Sequence, residues 1–245
     1  MTAGRTAFDR DLGTAQGEVR DVSVLMADLR GFTTFCERVS PASTAAVLNE
    51  YLTAMVDVIL DQHGRIQDFI GDGILGVFGA PNDDPDHAWH AALSALKMQK
   101  AIQPLRDRWQ AQTGTNFALG IALHTGTAFA GIVGPPTKCK YAVVGDLVNA
   151  VSRLEGVNRD LGTAIVMSGE TLGRVRDRIV AQPRGSFAVR GRSHLIEVFE
   201  LLGVRGEGTA TQELRDPSEV DVFRIAASHG ANGWRRNTVR RPAPA

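Results

Sequence analysis

Residues 66–78 read Ile66-Gln67-Asp68-Phe69-Ile70-Gly71-Asp72-Gly73-Ile74-Leu75-Gly76-Val77-Phe78. Two short β-forming runs, 66–70 and 74–78, flank Gly71-Asp72-Gly73, and glycines on either side of an acidic residue are turn chemistry. The stretch therefore reads as a hairpin with a carboxylate at its tip. Upstream, Val22-Ser23-Val24-Leu25-Met26-Ala27-Asp28 is a second β-forming run that also ends on a carboxylate, followed by Leu29-Arg30-Gly31-Phe32-Thr33. Between the two, Ser40 is a good N-cap and Pro41 suits the first helical position. Val47, Leu48, Tyr51, Leu52, Met55 and Ile59 then recur at helical spacing until Gly64.

Downstream, Asp84-Pro85 opens a second long helix that Pro104 is expected to kink or end early. Strands are expected at 117–123 and 128–133, joined at His124-Thr125-Gly126. A third helix starts near Asp146 and carries 148–161. A short strand at 164–167, a helix near Glu170 and strands at 179–189 and 195–202 complete the pattern. This order predicts one α+β domain over residues 21–203: a ferredoxin-like βαββαβ core with a mixed sheet and extra C-terminal strands. Residues 1–20 read as a flexible leader. Residues 204–245 read as a disordered tail with a short helix at 220–227.

The chain has 245 residues, 43% hydrophobic and 22% charged, which is enough to bury a core without disulfide or metal staples. Lys plus Arg and Asp plus Glu both number 27, so the net charge is zero. That balance argues against a nucleic-acid binder or a polybasic membrane-surface protein, both of which work through a one-signed field. No apolar run approaches the roughly 20 residues that span a bilayer, and residues 1–13 lack a secretory core, so a cytoplasmic location is expected. Cys36 and Cys139 have no metal-ligand spacing.

The chemistry-bearing residues stand at strand ends. Asp28 and Asp72 each close a strand beside glycine, and neighbouring strands lie about 5 Å apart. Two such carboxylates can share hard cations such as Mg²⁺, while the amides of Gly31, Phe32 and Thr33 can hold phosphate oxygens. Asn149 and Arg153 stand four apart on the third helix and project from one face. His87 and His90, beside Asp83, Asp84 and Asp86, read as part of an acidic helix start rather than a metal site. Arg235, Arg236, Arg240 and Arg241 read as solvated tail residues.

The segments MADLRGFT (26–33), FIGDGILGVFGAP (69–81), GIALHTGTAFAGIVG (120–134) and YAVVGDLVNAVSRLEG (141–156), in this order, resemble the class III nucleotidyl cyclases, the adenylate and guanylate cyclase family. The resemblance implies conversion of a nucleoside triphosphate to a 3′,5′-cyclic monophosphate and pyrophosphate. It implies two divalent cations per site, Mg²⁺ or Mn²⁺, on Asp28 and Asp72, with the Leu29 backbone beside them. Asn149 and Arg153 match the transition-state pair, and Arg192 falls where the family carries a Lys on the terminal phosphates. A head-to-tail homodimer with two shared sites is also implied, with neither nucleic acid nor membrane as partner.

The base-selecting positions depart from the adenylate pattern. Asp68 stands where adenylate cyclases have Lys and guanylate cyclases Glu, and Ala142 stands where the former have Asp or Thr and the latter usually Cys. A carboxylate only accepts hydrogen bonds, which ranks GTP and pyrimidine triphosphates above ATP. The short free-standing domain also resembles bacterial pyrimidine cyclases of antiphage signalling. A catalytically inactive nucleotide-binding or dimerisation module is the alternative, and a diguanylate cyclase is disfavoured because its GGDEF signature is absent.

Overall fold

A computed structural model describes residues 16–188, 195–206, 222–225 and 234–237. The chain order is β1 (Gly17–Arg30), α1 (Phe32–Cys36), α2 (Pro41–Asp61), β2 (Arg65–Ile70), β3 (Gly73–Phe78), α3 (His87–Thr113), β4 (Ala118–Val133), β5 (Lys140–Val144), α4 (Asp146–Leu161), β6 (Ile165–Ser168), α5 (Gly169–Val175), β7 (Ile179–Ala188), β8 (Leu195–Val204), β9 (Val222–Ile225) and β10 (Trp234–Asn237). The sheet runs β10-β9-β7-β8-β6-β4-β1-β3-β2, with β5 on β4. Its β4-β1-β3-β2 half is antiparallel, and β4 pairs with β6 in parallel, so the expected α+β architecture with a ferredoxin-like core and mixed sheet is present.

Period-two alternation along β1 builds both layers. Leu25, Ala27 and Leu29 join one core with Tyr51, Met55 and Ile59 of α2 and Ala91, Ala95, Met98 and Trp109 of α3. Val22, Val24 and Met26 join the other, with Leu147, Ala150, Val151, Leu154 and Val157 of α4. Asp28 continues the second series and so falls on the α4 face. Helix α2 starts where expected: Ser40 accepts from the Ser43 amide at 3.1 Å and Pro41 takes the first position.

Several expectations need correction. Residues 117–133 do not form two strands about a turn; β4 is one strand of 16 residues. β1 pairs with it from Gly17↔Gly131 to Arg30↔Ala118, and this ladder overrides the turn signal of Thr125-Gly126. The same pairing draws residues 17–20 out of the expected leader. α3 runs through Pro104 to Thr113, anchored on the far side by buried Trp109, whose Nε1 donates to Glu50 at 2.8 Å. At 222–225 the chain forms a strand, β9, in place of the expected helix, because the β-forming run Val222-Phe223-Arg224-Ile225 meets β7 in parallel register. β5 was not foreseen at all. α2 is also long and apolar enough, by length and composition, to cross a membrane, although Tyr51, Met55 and Ile59 pack into the core.

Candidate active site

The hairpin tip is a two-residue turn, Gly71-Asp72, between the paired residues Ile70 and Gly73, and Gly71 takes φ +64°, a conformation glycine adopts without steric cost. Asp72 is half-buried, and its Oδ2 accepts from the Leu29 amide at 3.2 Å, tying the tip to β1 one residue beyond Asp28. The Leu29 N–H is thus engaged with Asp72. Burial, and after it the charge of Asp28, push the Asp72 carboxyl above the ordinary range, while backbone amides and Arg159 pull it back. Two carboxylates that repel one another across a strand end are a donor set suited to a hard cation. Among the described residues no group of three or more His, Cys, Asp or Glu could hold a metal, so the remaining positions would fall to water or a ligand's oxygens.

Polar groups crowd behind this pair. Arg159 donates to Asp28 Oδ2 at 3.0 Å and to Glu155 Oε2 at 2.9 Å. Glu155 is buried, and burial followed by the Asp28 charge pushes its carboxyl up. Arg30 donates from Nη1 to the Thr163 carbonyl at 3.0 Å, while its Nε and Nη2 are buried without a partner. Burial chiefly lowers the affinity of its guanidinium for a proton. Gly120, opposite Asp28 on β4, makes this packing feasible: a Cβ there would lie 2.7 Å from Arg30 Nη2. Tyr51 is fully buried with its hydroxyl unpartnered, and burial, then the charges of Asp72 and Asp28, push its pKa well up.

α4 presents Asn149 exposed to solvent and Arg153 half-buried, with Arg153 Nη1 buried and unpartnered. Ten residues separate Asn149 from Arg159, about 15 Å of helical rise. The helix end that carries Asn149 is thus a different end from the one that meets Asp28.

The segment around Asp68 owes its geometry to a β-bulge. β2 pairs Ile66↔Gly76 and then Asp68↔Leu75, so residues 65 and 68 share a side of the strand that simple alternation would not give them. Gln67 clasps β5 twice, donating to the Val143 carbonyl at 2.9 Å and accepting from its amide at 2.7 Å. Arg65 donates to the Tyr141 carbonyl at 2.8 Å and stacks over its ring. Asp68 then receives Lys140 Nζ at 2.6 Å. Ala142 is 4% exposed.

Of the phosphate-binding candidates, Phe32 is buried, and Gly31 and Thr33 stand exposed at the start of α1, whose first turn no side chain caps. Arg192 lies outside the described residues. His90 pairs with Asp84 at 2.7 Å and His87 bonds Ser23 Oγ at 2.9 Å, so both serve the helix start and the core. Two cavities of about 450 and 550 Å³ lie along residues 79–84, and none of Asp28, Asp72, Asn149 and Arg153 lines them. Sequence reasoning missed Tyr51, Glu155, Arg159 and Lys140. Only Glu155 and Arg159 carried a signal, as an i,i+4 acid–base pair on a helix.

Comparison with known proteins shows the family and the fold. Residues 15–203 match the family model described as the adenylate and guanylate cyclase catalytic domain. Adenylate cyclase 1 of Rhizobium meliloti is 34% identical over 185 residues, covering 76% of this chain and 28% of that protein. An adenylate cyclase of Anabaena cylindrica is 31% identical over 194 residues, covering 74% of this chain and 37% of that protein. The chain thus spans well under half the length of these relatives. Among solved structures, the adenylyl cyclase CyaB of P. aeruginosa superposes with a TM-score of 0.73 at 28% identity, covering 78% of this chain and 98% of that one. A guanylyl cyclase superposes with a TM-score of 0.73 at 31% identity, covering 80% and 98%. With the fold, the paired aspartates and the Asn149/Arg153 helix in place, the chain belongs to the adenylate and guanylate cyclase catalytic domain family.

Proposed function

We propose that this chain is a nucleotidyl cyclase that converts a nucleoside triphosphate to a 3′,5′-cyclic monophosphate, a second messenger, and pyrophosphate. The observation that carries the reading is the meeting of Asp28 and Asp72, tied together through the Leu29 amide, on a family-matched domain. Two divalent cations, Mg²⁺ or Mn²⁺, held there would supply Lewis acidity toward the ribose 3′-hydroxyl and neutralise the triphosphate. Asp28 and Asp72 would hold the cations through their carboxylate oxygens, and the hydrogen bond from the Leu29 amide fixes the position of Asp72. Arg153 stabilises charge growing on the α-phosphoryl oxygens, and Asn149 orients the ribose. The amides of residues 31–33 and the Arg192 guanidinium hold the phosphates.

The site is shared between two copies in a head-to-tail homodimer. Two features support this. Asn149 and the Asp28 contact lie at different ends of α4, and Phe69, Ile70, Ile132, Val133 and Val144 leave an apolar surface beside the Asp68 segment, from 38% to 55% exposed. The carboxylate at 68 favours GTP or a pyrimidine triphosphate over ATP; relatives named as adenylate and as guanylate cyclases both resemble the chain. Free Cys36 and Cys139 suit the cytoplasm, where the substrate is found.

Purified protein with Mn²⁺ or Mg²⁺ should release pyrophosphate and a 3′,5′-cyclic product from at least one of ATP, GTP, CTP and UTP. Release from none would refute the enzyme and leave a nucleotide-binding or dimerisation module.

A further inference from the structure

We infer that Lys140, paired with Asp68, is a second base-reading residue and that the two together select guanine. The inference deepens the cyclase reading above and rests on its placing Asp68 at the base.

The position expected to act with Asp68, Ala142, is 4% exposed and carries no polar atom, whereas Lys140, two residues earlier on β5, is exposed and places its ammonium 2.6 Å from Asp68 Oδ2. Exposed ion pairs between long side chains are commonly adventitious. This one is set by the backbone. Gln67 binds both the amide and the carbonyl of Val143, and Arg65 binds the Tyr141 carbonyl, so β2 and β5 are clamped together immediately before Asp68 and immediately after Lys140. The bulge between Ile66 and Asp68 turns Asp68 toward β5. β5 in turn leads through Gly145 directly into α4, so Lys140 and Asn149 belong to one continuous segment.

The chemistry of the pair is specific. Asp68 accepts from the Phe69 amide through Oδ1 and from Lys140 through Oδ2, and each oxygen keeps a lone pair for a ligand. Lys140 directs one of three N–H donors at Asp68 and keeps the others. The pair therefore offers two acceptors side by side with a donor next to them. Guanine alone among the four bases presents two adjacent donors, its ring N–H and 2-amino group, beside an acceptor, its 6-oxo group. Adenine and cytosine offer a single donor group on this edge, and uracil a single N–H between two carbonyls.

The test is kcat/KM for GTP, UTP, CTP and ATP in the wild type, in Lys140→Met and in the double reversal Asp68→Lys/Lys140→Asp. GTP should be the best substrate, and Lys140→Met should cost it about tenfold or more while ATP changes by less than about threefold, since a site built to bond a base edge loses most when one of its partners goes. The double reversal keeps an ion pair and the melting temperature but should not restore the preference for GTP. An equal loss for all four nucleotides, restored preference in the double reversal, or another nucleotide as the best wild-type substrate would overturn the inference. Equilibrium binding of the same triphosphates reads base preference without turnover. A chain that releases no pyrophosphate, yet binds GTP about tenfold more tightly than ATP and loses this in Lys140→Met, would fail the cyclase reading and uphold this one.

Discussion

Two polar clusters lie inside this molecule, one near the start of α3 and one at the end of β1, and they are built on opposite terms. In the first, Ser23 Oγ meets His87 Nδ1 at 2.9 Å and Thr125 Oγ1 at 2.6 Å, Thr171 donates to Thr125 at 3.0 Å, and Ser168 meets His124 Nδ1 at 2.8 Å. Every one of these buried groups has a partner. In the second, around Asp28 and Asp72, Tyr51 Oη, Glu155 Oε1 and two nitrogens of Arg30 are buried without one, and on α4 so is Arg153 Nη1. A buried polar group left unpartnered costs about 1–3 kcal/mol. The first cluster is therefore a finished piece of core, while the second, beside Asp28 and Asp72, carries an uncompensated polar cost of the kind that collects at functional sites.

Substitutions can break or sharpen that contrast. The largest effect belongs to Asp72→Asn: turnover should be abolished, while the metal-free chain should melt at a higher temperature, because the neutral amide removes the repulsion with Asp28. A variant that keeps near-normal rates would refute the cation site. Arg153→Ala should lower kcat about 10²–10³-fold with a smaller change in KM, as loss of a transition-state donor does. Mixing the inactive Asp72→Asn and Arg153→Ala chains should restore activity through one intact shared site per heterodimer; no recovery would speak against sharing.

The clusters should also answer oppositely to the loss of one hydroxyl. Ser23→Ala leaves His87 and Thr125 short of a partner and should destabilise by about 1–3 kcal/mol, whereas Tyr51→Phe removes an unpartnered hydroxyl and should be neutral or stabilising in the metal-free protein. Denaturation midpoints that shift in the same direction for both would erase the distinction.

The smallest effect is one of pH. Burial chiefly, with help from Arg174, lowers the pKa of His87 against the opposing charges of Asp21 and Asp84. Its contribution to stability is present above the unfolded value of about 6.5 and is lost as pH falls through the lower folded value. Asp72 and Glu155, both pushed up, act with the other sign: in the metal-free fold they are relieved by protonation as pH falls toward the ordinary carboxylate range. Melting temperatures should therefore start to fall below about pH 6.5 and fall less in His87→Gln.

Much of the fold was legible because its signals are local. Ser40-Pro41 capped α2, Gly71-Asp72 made the turn, and the apolar β-forming run at residues 22–28 marked a strand. Where the reading failed, long-range pairing had outweighed local preference: β4 runs straight through Thr125-Gly126 because fourteen residues of β1 pair with it, and α3 passes Pro104 because Trp109 is anchored beyond it. β5 escaped notice because a five-residue strand carries little periodicity of its own.

The candidate site divides in the same way. Residue type and spacing placed Asp28 and Asp72 at strand ends beside glycine and Asn149 and Arg153 on one helix face, and the family resemblance made these four the candidate polar frame. Tertiary structure alone decided that Arg159 bridges Glu155 to Asp28, that the Tyr51 hydroxyl is buried without a partner, and that a bulge turns Asp68 onto Lys140. These contacts join residues up to 131 positions apart. They arise from how β5 and α4 pack on the sheet, which no local spacing encodes.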